Sequence, residues 1–102
     1  MRFGLDSKQH RFISETVVEP LSALGAQVYC YGSRARGDHS PFSDLDLMVE
    51  AQEEETEKLR REISRIEELV ENSLFPFKLD LVLLTEFASA YRDSYEKDKV
   101  AW

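Results

Sequence analysis

The chain has 102 residues, 42% of them hydrophobic, with 20 acidic side chains against 13 basic ones and a formal net charge of −7. That length supports one modest core, and the balance of apolar and charged residues excludes a disordered or fibrous chain. The acidic surface argues against general nucleic-acid binding, the lone Cys30 excludes an intrachain disulfide, and no apolar run reaches membrane-spanning length, so a single domain over residues 1–102 in the cytoplasm is the expectation.

In chain order, the first element is a helix capped by Asp6 or Ser7. Phe12, Ile13, Val17, Leu21 and Leu24 recur at helical spacing. Pro20 should kink or restart this helix, and Gly25 should stop it. Ala26 to Tyr31 is rich in aromatic and β-branched residues and reads as a buried strand. A Gly32-Ser33 turn leads into a short helical turn. Asp44 to Glu50 alternates, with Leu45, Leu47 and Val49 on one face and Asp44, Asp46, Met48 and Glu50 on the other. Gln52 to Asn72 is the clearest helix, with Leu59, Ile63, Ile66 and Val70 as its stripe and Glu54–Lys58 and Glu57–Arg61 as spaced pairs on its wet face. Lys78 to Leu84 alternates like the second strand and places Asp80 opposite its leucines. Thr85 should cap a last helix running through Tyr91 and Tyr95. The order predicts an α/β (α+β) fold, a mixed sheet packed on helices through one face.

If both leucine faces pack on the helices, Asp44, Asp46 and Asp80 emerge together on the other side. Neighbouring carboxylates repel unless a cation relieves them. Mg²⁺ favours such oxygen ligands and keeps positions for water and substrate phosphates. Three carboxylates can hold two ions, the arrangement that supports both the attacking and the leaving oxygen in a phosphoryl displacement. Gly32 lets backbone approach a phosphate, and Ser33 and Arg34 can offer N–H groups to it. Arg34 and Arg36 can supply positive charge to a leaving pyrophosphate. Each feature alone is more often a turn or a solvated surface. Their combination, with ten residues between Ser33 and Asp44, reverses that weighting.

The pattern Gly32-Ser33, ten residues, Asp44-Leu45-Asp46 resembles the minimal nucleotidyltransferases of the DNA polymerase beta-like superfamily. The extended form is also intact, as Gly32-Ser33-Arg34-Ala35-Arg36-Gly37 and Ser43-Asp44-Leu45-Asp46-Leu47. The resemblance implies the nucleotidyltransferase fold. It implies metal binding and catalysis by Asp44, Asp46 and Asp80, with nucleotide contacts from Gly32, Ser33, Arg34, Arg36 and Ser43. The implied reaction moves NMP, with ATP favoured as donor, to a hydroxyl acceptor with the help of two Mg²⁺. It also implies a small all-helical partner of the HEPN or substrate-binding type, in a homo- or hetero-oligomer. Larger members carry a helical domain for which this length leaves no room. The alternative is a non-catalytic antitoxin or regulatory subunit that acts by binding that partner.

His39 reads as a solvated loop residue and Cys30 as a small buried hydrophobe. Lys78 shares the Asp80 face, where it reads either as balancing carboxylate charge or as reaching a phosphate. Tyr91, Tyr95 and Trp102 read either as core or as anchors of a partner interface.

Overall fold

The computed structural model describes residues 2–102. The first helical stretch has three parts: α1 (Ser7–Ile13), a wider π-helical turn (Ser14–Val18) and α2 (Glu19–Ala23). Asp6 caps α1 in a reciprocal box, accepting from the Gln9 N–H at 2.7 Å while the Gln9 side chain accepts from the Asp6 N–H at 3.0 Å. The π-turn lies just before Pro20, and the Glu19 N–H reaches back five residues to the Ser14 carbonyl. Proline lacks an N–H and its ring crowds the carbonyl four residues earlier, so the turn ahead of it widens instead of breaking. At the other end, Gly25 takes φ +85° and the Ala26 N–H donates to the Leu21 carbonyl at 3.1 Å, which closes the helix.

Four strands follow the order β3-β2-β1-β4 in one sheet: β1 (Gln27–Tyr31), β2 (Leu45–Glu50), β3 (Leu79–Leu83) and β4 (Val100–Ala101). β1 runs antiparallel to both β2 and β4, whereas β2 and β3 are parallel, so the sheet is mixed as expected. A parallel neighbour requires a crossover, supplied here by α4 (Thr56–Glu71), which a short 3₁₀ turn at Glu53–Glu55 precedes. The stripe Leu59, Ile63, Ile66 and Val70 is buried against Ile13, Val17 and Leu21 and against the sheet face carrying Val28, Cys30, Leu45, Leu47, Val49, Leu79, Leu81 and Leu83. The wet face of α4 carries ion pairs three residues apart, Glu55–Lys58, Glu57–Arg60 and Glu62–Arg65, in place of the four-residue pairs expected.

The C-terminal segment departs most from expectation. Thr85 caps nothing: it lies inside a 3₁₀ turn (Leu84–Glu86), a second such turn follows at Ser89–Tyr91, and α5 spans only Arg92–Asp98. The two-residue β4 is too short to show any sequence period. Tyr95 and Trp102 are not free anchors. Tyr95 is buried and its hydroxyl donates to Glu50 at 2.5 Å. Trp102 stacks on His10 and Phe3 and donates its indole N–H to Ser14 at 2.8 Å. Tyr91 alone of the three remains largely exposed. No helix among the described residues is long and apolar enough to cross a membrane.

Candidate active site

The sheet face opposite α1, α2 and α4, which α5 covers in part through Tyr95, is built in register. Tyr31, Asp46 and Asp80 occupy one row across β1, β2 and β3, and Tyr29, Met48 and Val82 the next. Asp44 lies two residues ahead of Asp46, just before β2 begins. Pleating alone therefore carries the expected carboxylates to one face. They act on one another: burial first, then the charges of Asp80 and Asp44, push the Asp46 carboxyl up to about 6 from 3.8, against the opposing pull of Arg34 and Lys78. A fourth acid, Glu67 of α4, is raised by burial and by Asp80. Its helical face gives no hint in sequence that it lies within electrostatic range of a strand residue.

The Gly32 turn abuts this row. Gly32 takes φ +74° and ψ −156°, a region open essentially to glycine alone. A Cβ built there would lie 2.8 Å from Asp46 Oδ2. The Asp46 carboxylate thus lies against the space that a side chain at position 32 would fill, and Ser33 opens α3 (Ser33–Arg36) immediately after it in sequence. The Ser33 hydroxyl has no hydrogen-bond partner among the described residues.

Two arginines depart from expectation. Arg34 is 2% exposed, and its donors are taken by backbone carbonyls. Its Nη1 donates to the Phe3 carbonyl at 2.9 Å, and its Nε and Nη2 both donate to the Ser43 carbonyl at 3.1 and 2.8 Å. Its guanidinium also covers the Phe77 ring at 4.1 Å. Arg34 therefore positions the loop that delivers Asp44. Arg36 is half exposed and pairs with Asp38 at 3.1 Å and with Asp98 of α5 at 3.0 Å, tying the turn to the C-terminal helix. The Ser43 hydroxyl is engaged locally, accepting from the Ser40 N–H at 2.9 Å. His39 is half-buried rather than solvated: a Cβ at Gly4 would collide with its ring. Cys30 is buried, as its sequence context predicts, and burial pushes its thiol up to about 12.

The donor set fits a hard divalent cation, since it offers carboxylate oxygens that are held close despite their repulsion. Among the described residues no three acidic, histidine or cysteine side chains enclose a metal position as they stand.

A family model described as nucleotidyltransferase domain matches residues 11–101, and the chain belongs to that family. It is a transferase, and domains of this family generally use divalent metal ions. One solved structure, a protein of Sulfolobus solfataricus assigned provisionally as a nucleotidyltransferase, matches with a TM-score of 0.48 and 22% identity over 99% of this chain and 86% of that one. No curated protein matches.

Proposed function

We propose that the chain moves NMP from a nucleoside triphosphate, with ATP favoured, to a hydroxyl acceptor, using two Mg²⁺ held by Asp44, Asp46 and Asp80. The observation that supports this reading is that the Asp46 carboxylate fills the space a Gly32 side chain would need, in a row that continues to Asp80. It puts a glycine backbone able to approach phosphate beside carboxylates able to hold the phosphate's counter-ions. Bound Mg²⁺ supplies charge neutralisation at the triphosphate and acidifies the acceptor hydroxyl.

The chain's own residues do the rest. Ser33, at the start of α3, offers its hydroxyl and N–H to the terminal phosphates. Asp80 lies next to Asp46 and takes the acceptor's proton as the acceptor oxygen bonds to the α-phosphorus. The bond from that phosphorus to the bridging oxygen breaks, and pyrophosphate leaves. Arg34 positions Ser43 and Asp44 without touching substrate. The raised Asp46 carboxyl favours catalysis over a purely binding role as antitoxin, because a site with no cation has no use for so costly a cluster. The acceptor is proposed to lie on, or be presented by, a small helical partner. Phe42 and Leu74, 85% and 101% exposed, are apolar side chains available to one.

The test is calorimetric titration of ATP with and without Mg²⁺. Metal-dependent binding that disappears in Asp44→Asn/Asp46→Asn supports the reading. Equal binding with and without Mg²⁺ sinks it.

A further inference from the structure

A groove of about 230 Å³ opens beside the Gly32 turn, lined by Tyr31, Gly32, Phe87, Tyr91, Ser94 and Asp98. Nothing in the carboxylate chemistry uses it. Its walls are aromatic: Tyr31 meets Phe87 edge-on at 5.8 Å and Tyr95 at 5.4 Å, and Phe87 meets Tyr91 at 6.3 Å. Tyr91 stands 64% exposed at the mouth, so much of its ring surface faces solvent. Besides the tyrosine hydroxyls, the polar side chains of the lining are Ser94 and the ion pair of Arg36 with Asp98, whose carboxylate is 18% exposed.

The groove is continuous with the site. Gly32 belongs to both, and Tyr31 is the register partner of Asp46. We propose that it holds the nucleoside part of the triphosphate, with the base against Tyr91 and Phe87 and with Asp98 accepting from a ribose hydroxyl or an exocyclic amino group of the base. The inference rests on the nucleotidyl-transfer reading above. Three arguments select this occupant. The groove is smaller than the few hundred Å³ of a drug-sized pocket, which suits one flat ring system. Aromatic faces stack any base, and carboxylates accept but do not donate. The shared Gly32 brings the groove next to the proposed phosphate position.

The experiment compares Mg²⁺·ATP with Mg²⁺·tripolyphosphate by calorimetry, since the second ligand has the phosphates but no nucleoside. The unaltered protein should bind ATP more tightly, by about five- to a hundredfold for one stacked base. Tyr91→Ala and Ser94→Trp, both at exposed positions, should remove most of that advantage and leave tripolyphosphate affinity unmoved. Tyr91→Phe should retain it. Equal affinity of the unaltered protein for the two ligands overturns the groove and leaves the phosphate site standing. An ATP advantage that survives both Tyr91→Ala and Ser94→Trp also overturns it. Failure of both ligands to bind overturns the groove and the transfer reading together.

Discussion

Asp46→Asn should make the metal-free protein more stable at neutral pH. The substitution keeps shape and removes one charge from the acidic row. The Asp46 carboxyl titrates near 6 in the fold, against 3.8 ordinarily. Ionising it in the folded state therefore costs at most about 3 kcal/mol, and solvent at this partly open face reduces that to about 1–2 kcal/mol. The folded pKa is raised, so the folded state holds the proton more tightly than the unfolded one. Asp46 thus contributes stability below about pH 4 that is lost as pH climbs through 6. The assay is thermal unfolding followed by circular dichroism from pH 4 to 8 with a chelator present. At pH 8 Asp46→Asn should unfold roughly 5–10 °C higher than the unaltered protein. The gap should close toward pH 4. Added Mg²⁺ should raise the melting temperature of the unaltered protein more than that of the variant. A variant that melts at or below the unaltered protein at pH 8 refutes the argument that the row is held together against repulsion.

Gly32→Ala and Gly25→Ala form a matched pair, since both glycines have positive φ but only Gly32 faces a carboxylate. Gly25→Ala should cost about 1 kcal/mol and Gly32→Ala at least about 2 kcal/mol, read from urea midpoints. Arg34→Lys should destabilise by about 2–4 kcal/mol in the same assay, because lysine cannot serve the Phe3 and Ser43 carbonyls together; an unshifted midpoint would return Arg34 to the substrate side. Trp102→Ala should cost about 2–3 kcal/mol by loss of its stacking and its bond to Ser14, whereas a pure interface anchor would leave the isolated chain's stability unchanged.

The sheet and its acidic face were legible because both rest on a period of two. Once Leu45, Leu47, Val49 and Leu79, Leu81, Leu83 are buried, Asp46 and Asp80 have only one side left. A cap at Asp6 or Ser7 and the stop at Gly25 were legible for similarly local reasons, although the reciprocal bond from Gln9 was not. What sequence alone did not reveal depends on long-range contacts. Arg34 looks like any arginine in a basic turn until the Phe3 and Ser43 carbonyls, brought together by folding, claim its donors. Arg36 pairs with Asp98, 62 residues away in sequence. The aromatic groove draws Tyr31 from a strand and Phe87, Tyr91 and Tyr95 from a segment whose turns break helical periodicity. The alternation in β1 does place Tyr31 on the carboxylate face, a signal that points to the groove only once β1 and β2 are paired.

The most direct test of nucleotidyl transfer is the fate of labelled phosphate. ATP labelled at the α- or the γ-phosphate is incubated with Mg²⁺, the purified chain and an extract of the cells that make it. Label should enter an acceptor from the α-position only, with γ-label released as pyrophosphate, and Asp80→Asn should abolish incorporation. Incorporation from the γ-position, or α-label that enters equally with Asp80→Asn, would contradict the account.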